Sequence, residues 1–211
     1  MKGSTAQPTR PRRLALSPDA AIALLLVAGV WLTRALAANS FITWDEPAWV
    51  YRSAKFLLAL SRGELRGTLL VGHPGVLTMW CGALGLAWQR LVGGPTVATQ
   101  LAAVDALPSL QVHDQATLRL LAALLPAAKA PLPLFHAAIA AGLYLLLQPL
   151  LGRARAAVAV AFVALDPYYI ALSRLLHMDA LASGLMLVSV VGVLLYSHSG
   201  RRRHLLLSGA A

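Results

Sequence analysis

Apolar residues come in long runs separated by short polar, turn-rich stretches, and this spacing governs the reading of the chain. A helix needs ~20 mostly apolar residues to cross a bilayer. Residues 20–38, 154–170 and 180–196 meet that requirement most clearly, and 75–91 and 132–151 are two further candidates. Residues 93–117 carry Pro95, Asp105, Pro108, His113 and Asp114, which predicts a polar connection holding a short helix. Pro126, Pro131 and Pro133 argue against one straight helix through the region that follows. The pattern predicts an all-α fold, a polytopic transmembrane helical protein.

A different pattern fills the stretch after the first apolar run. Trp49, Val50, Phe56, Leu57 and Leu60 fall on one arc at helical spacing, with Arg52, Lys55 and Arg62 roughly opposite. This predicts an amphipathic helix lying along the membrane surface. Pro47 near its start, with Asp45 or Glu46 in the first turn, fits a helix N-terminus there.

Composition agrees with a membrane as solvent. Hydrophobic residues make up 58% of the chain and charged residues 12%, a balance a water-exposed surface rarely allows. Lys and Arg number 18 against 8 acids, but the excess clusters at the ends of apolar runs, which marks topology and argues against nucleic-acid binding. Lys2, Arg10, Arg12 and Arg13 precede the first run and Arg201, Arg202 and Arg203 follow the last. Both clusters, together with Arg153 and Arg155, are expected on the cytoplasmic side. The division is then a basic N-terminus at 1–19, a membrane module at 20–200 and a basic cytoplasmic tail at 201–211, read as truncated. Within the module, 39–74 forms an external loop, and the turn at 174–179 is also external. Between His73 and Gly152 an odd number of crossings is needed while two candidates are visible, so either one is re-entrant or the proline region adds a third. Reading the first run as a cleaved secretory signal is the weaker choice, because Arg34 interrupts the approach to the small-residue site. Cys81 is the single cysteine, which excludes an internal disulfide and a cysteine-built metal site.

With only eight acids in the chain, each one near apolar sequence requires an account, since unpaired charge at membrane depth is costly. Asp45 and Glu46 suit helix capping, and equally suit a carboxylate acting as general base toward an acceptor hydroxyl. Asp166, Arg174 and Asp179 fall near the external end of a helical hairpin, where an anionic headgroup could be held. Arg174 is the natural phosphate partner because its planar fork binds oxygens in pairs. The plainer alternative is an Arg174–Asp179 ion pair that neutralises two charges. His177 reads as a hydrogen-bonded structural residue, and Gly72-His73-Pro74-Gly75 as an ordinary helix-start turn in which His73 could also join a site. The chain lacks HExxH, the phosphate-cradling GxxxxGK[ST] loop and a nucleophile elbow.

Taken in order, Trp44-Asp45-Glu46-Pro47, Gly72-His73-Pro74, Leu165-Asp166-Pro167 and Ser173-Arg174 through Asp179-Ala180-Leu181 resemble the start of a GT-C glycosyltransferase. The branch is that of protein O-mannosyltransferases and their bacterial relatives, including aminoarabinose transferases acting on lipid A. The resemblance runs from about Phe41 to Tyr196. It implies transfer of a sugar from a polyprenyl-phosphate donor to a protein or lipid acceptor on the external face of the plasma membrane, with inversion at the anomeric carbon. By the same resemblance, Asp45 is the acceptor-activating base and Glu46 assists it or orients substrate. Arg174 holds the donor phosphate, Asp166 and His73 contribute to substrate binding, and Asp179 lies at the site or binds a divalent metal in members that use one. The chain departs from the family in being short, as an N-terminal part of a longer enzyme would be, and in its lengthened 93–117 connection. The alternatives are a non-catalytic polytopic protein that binds or moves an anionic lipid or solute, and a structural membrane subunit. An enzyme requires the acids and Arg174 to converge, whereas a scaffold does not.

Overall fold

The computed structural model describes residues 17–36, 42–70, 75–93, 95–110 and 113–211. Every regular element among them is helical: α1 (Pro18–Ala35), α2 (Glu46–Arg62), a 3-10 turn (Leu65–Thr68), α3 (Val76–Val92), α4 (Pro95–Ala106), α5 (Gln115–Lys129), α6 (Leu132–Leu151), α7 (Arg153–Ala164), α8 (Pro167–Leu172), α9 (Met178–Ser199) and α10 (Arg202–Ala210). Among the described residues three helical stretches are long and apolar enough to cross a membrane: Pro18–Ala35, Gln115–Leu151 and Met178–Ser199. At 1.5 Å per residue, α1 is about 27 Å long and α9 about 33 Å, close to the ~30 Å of a hydrocarbon core.

Local chemistry sets the boundaries. Ser17 caps α1 by accepting from Ala20 N at 3.2 Å, and Pro18 opens the helix where its missing N–H costs nothing. Asp114 caps α5 through Ala116 N and Thr117 N, and hydrogen bonds from the Thr117 hydroxyl and these amides hold its carboxyl below the usual range. Pro126 lies inside α5, and the helix breaks between Lys129 and Leu132, as the proline spacing predicts. The stretch 154–170 differs from the sequence expectation of one span. α7 ends at Ala164 after 12 residues, about 18 Å, because Pro167 drives Asp166 into an extended conformation (φ −58°, ψ 127°). Asp166 then accepts from Tyr169 N at 2.8 Å and starts α8.

The helices pack as two blocks. In one, α1 lies on α6, which is also packed by α7 and α9, and α10 doubles back along α9. Val30, Ala140, Tyr144, Val160 and Val191 are among its buried residues. Asp19 at the start of α1 meets Arg153 and Tyr144 at one end of this block, while Arg34 meets Ala164 and Ser173 at the other. Its outer faces carry exposed Leu25, Leu32, Val158, Phe162, Met186 and Val190. In the second block α2 packs on α3, α4 and α5 around Trp49, Phe56, Leu86, Leu101 and Leu124. The apolar arc of α2 is therefore covered by protein, and α4 is tied to it by Lys55 Nζ on the carbonyls of Asp105 and Leu107 and by the Arg62–Asp105 pair. That arginine holds the Asp105 carboxyl below the usual range. Leu132, Leu176 and Leu181 join the blocks.

Candidate functional site

The two blocks meet where the N-terminus of α2 faces the turn between α8 and α9, and a buried carboxylate clasps them. Glu46 is 0% exposed. Its Oε1 accepts from Leu176 N at 2.9 Å and pairs with Lys129 Nζ at 2.6 Å, and its Oε2 accepts from Thr43 N at 2.8 Å. One side chain thus binds α2, the end of α5 and the α8–α9 turn. Burial of this pair is tolerable only because several partners satisfy it.

Asp45, one residue earlier, has the opposite surroundings. It occupies the N-cap position of α2 without making a capping hydrogen bond, and its side chain is 66% exposed. Its Oδ2 lies 3.8 Å from His177 Nε2. On the other side of the ring, His177 Nδ1 lies 3.2 Å from Asp179 Oδ2 and accepts from Asp179 N at 3.4 Å, which caps α9. Trp49 meets the His177 ring edge-on at 5.9 Å, and Arg52 lies over Trp49 at 4.9 Å. Gly75 permits this packing, since a Cβ there would stand 2.4 Å from the Trp49 ring. Asp45 and Asp179 are thereby brought to one imidazole from distant parts of the chain.

Arg174 sits in the same turn, half-buried, with Nε and Nη2 both donating to Thr33 O at 3.0 and 2.5 Å. It forms no ion pair with Asp179. Asp166 is exposed, occupied in capping α8, and makes no hydrogen bond or ion pair with Asp45, Glu46, Arg174 or Asp179. His73 lies outside the described residues. Among the described residues no group of three or more His, Cys, Asp or Glu side chains is arranged to hold a metal ion.

Two apolar hollows flank the acidic cluster. One, of about 260 Å³, is lined by Ile42, Thr43, Trp44, Pro47, Leu118 and Ala122 beside Asp45. The other, of about 490 Å³, runs between the start of α3 and α9 past Gly75, Leu77, Met178, Leu181 and Met186. Sequence reasoning directed at acids passed over Lys129, read His177 as a hydrogen-bonded structural residue and weighed Arg34 only against a signal cleavage site. Lys129 and Arg34 interrupt apolar runs, and an ionisable residue inside such a run is a site candidate whatever its sign. Comparison with known proteins gives no match: no family model fits the chain, and no curated protein or solved structure is similar to it.

Proposed function

We propose that this chain is a membrane-embedded glycosyltransferase, or the N-terminal part of one, that moves a sugar from a polyprenyl-phosphate donor to a hydroxyl of a protein or lipid acceptor. It sits as a multi-pass protein of the plasma membrane, N-terminus inside, with the α2/α9 junction on the outer face. The observation that carries this reading is the meeting of Asp45 and Asp179 at His177, with Arg174 in the same turn. Convergence of these motifs is what a transferase needs and a scaffold does not.

In the proposed reaction Asp45 takes the proton of the acceptor hydroxyl as its oxygen bonds to the anomeric carbon. The bond from that carbon to the phosphate oxygen breaks, inverting the centre and leaving the lipid phosphate with the electron pair. Arg174 stabilises the charge on that leaving phosphate. Asp45 is free for this work, being exposed and not engaged in a cap, whereas Glu46 serves by fixing the turn that carries Arg174, His177 and Asp179. The apolar hollows on either side suit substrates with hydrophobic parts.

The test is transfer of radiolabelled sugar from a panel of polyprenyl-phosphate donors in membranes containing the inserted chain. Donor-dependent transfer is expected from the wild type, with a loss of about 10²–10⁴-fold in Asp45→Asn, the usual contribution of a general base. Equal transfer by wild type and Asp45→Asn would remove Asp45 from the mechanism, and no transfer from any donor would count against the enzyme reading.

A further inference from the structure

The block built from α1, α6, α7 and α9 holds a cavity of about 290 Å³. Ile139, Leu143, Val160 and Leu187 give it an apolar wall, and its volume is near the lower end of the ~300–1,000 Å³ of small-molecule sites. Neither Arg174 nor any residue of the Asp45–His177–Asp179 cluster lines it.

Part of the lining is polar and incompletely paired. His136 on α6 is 2% exposed, and its Nδ1 lies 3.4 Å from the Tyr169 hydroxyl, which donates to Ala180 O at 3.2 Å. Gly184 on α9 admits that phenol, since a Cβ there would stand 2.8 Å from its oxygen. His136 Nε2 makes no hydrogen bond with any described residue. Nor is it sealed in: among the described residues Ser53 Oγ alone is a buried side-chain atom closed off without a partner, so Nε2 opens onto the cavity that His136 lines. Ser183 Oγ, also in the lining, makes no hydrogen bond with a described residue either. A buried polar atom left unpaired is costly, and an occupant that hydrogen-bonds to it removes the penalty.

Charge and access define the occupant. No carboxylate lines the cavity, so a cation would meet the Arg34 guanidinium unopposed. An anion gains little, because Arg34 already donates from Nε to Ser173 Oγ at 3.0 Å, from Nη1 to Thr33 Oγ1 at 2.9 Å and from Nη2 to Ala164 O at 2.7 Å. A neutral occupant avoids burying unpaired charge. Val163 and Ser183 in the lining are exposed, and so are Phe162 and Met186 near them on the outer face of the block. Entry is therefore through apolar surroundings, which selects a lipophile. Water suits the space poorly, since it needs ~2–4 polar partners and most of this wall is apolar. A hydroxyl both donates and accepts, so it serves His136 Nε2 in either tautomer and Ser183 Oγ as well.

We infer that this cavity is a binding site for an uncharged lipophile carrying one hydroxyl, an alkanol or a monohydroxy lipid. The hydroxyl meets His136 and Ser183, and the hydrocarbon lies along Ile139, Leu143 and Leu187. The site goes beyond the proposed transfer and uses none of its residues.

Photolabelling tests it without any transfer assay, so its failure and that of the glycosyltransferase reading are separate results. The full chain in phosphatidylcholine nanodiscs is labelled with an octanol carrying a diazirine, and peptide mass spectrometry maps the label. Label is expected in the lining segments 136–143 and 183–187. Octanol, octane and octanoate then compete at matched concentrations in the lipid phase. Octanol is expected to protect at about tenfold lower concentration than the other two, the order expected when buried polar groups gain hydrogen bonds. His136→Phe keeps an aromatic ring without its nitrogens and is expected to abolish that advantage over octane. Ser183→Trp, at an exposed lining position, is expected to abolish labelling by filling the mouth. Octane protecting as well as octanol would show an apolar cavity with no need for a hydroxyl, and octanoate protecting as well or better would show an anion site; either overturns the inference. So would label absent from the lining segments, or labelling unchanged in Ser183→Trp, even if His136→Phe fails to fold.

Discussion

Asp45 and Glu46 are adjacent in the chain, yet one faces solvent and the other is sealed beneath the α8–α9 turn. A helix rotates side chains by about 100° per residue, so neighbours at its first turn enter different environments. The sequence marks both residues as candidates, but it does not say which is exposed, because that depends on α5 and the α8–α9 turn arriving from elsewhere. The buried Glu46–Lys129 pair makes a direct prediction. Glu46→Gln or Lys129→Met alone is expected to cost ~3–5 kcal/mol, because each leaves the other charge buried with its ion-pair partner gone. The double variant is expected to cost less than the sum of the singles. Thermal unfolding of the four proteins in one detergent measures this coupling, and additive losses would mean that the pair contributes no interaction energy.

At the level of elements, most helices are legible from apolar period and punctuation. α6 at Leu132–Leu151 coincides with the span read from the sequence, and α3 and α9 fall within three residues of theirs at either end. The 154–170 run is the instructive departure. Asp166-Pro167 carries both a helix stop and a helix start, and the apolar residues on either side conceal it from a hydropathy reading. The arc on α2 is also correctly read, but amphipathicity does not distinguish a membrane surface from a protein partner as the cover. The partner here is close: α3 approaches α5 until a Cβ on Gly85 would stand 2.0 Å from the Ala127 carbonyl oxygen. Backbone cannot yield as a side-chain tip does. Gly85→Ala is therefore expected to destabilise by at least ~1–3 kcal/mol, whereas Gly142→Ala on α6, with nothing within 4 Å of its Cβ, is expected to be neutral or slightly stabilising. Midpoints of thermal unfolding compare the two, and an unchanged midpoint for Gly85→Ala would mean that α3 and α5 are not in close contact.

The whole molecule is two helical blocks whose meeting point gathers the charged residues of α2, α5 and the α8–α9 turn. Of the residues the short motifs mark, Asp45, Glu46, Arg174 and Asp179 lie on the elements that meet here while Asp166 stands apart, and their pairings are tertiary. Arg174 turns to Thr33 instead of Asp179 because the chain between Arg174 and Asp179 is a non-helical turn that brings His177 to Asp179. The proposed function stands on Asp45 and Asp179 belonging to one site, which the proposal places on the external face, although Glu46 and Leu176, their neighbours in contact, are 130 residues apart. The most direct measurement is made on Asp45→Cys/Asp179→Cys in a Cys81→Ala background, which removes the single natural cysteine. Intact cells are treated with a short-span, membrane-impermeant bifunctional thiol reagent. The account predicts an intramolecular cross-link in the double variant without permeabilisation, and single labels only when either cysteine stands alone. Reaction that requires permeabilisation, or two accessible cysteines that never cross-link, would contradict it.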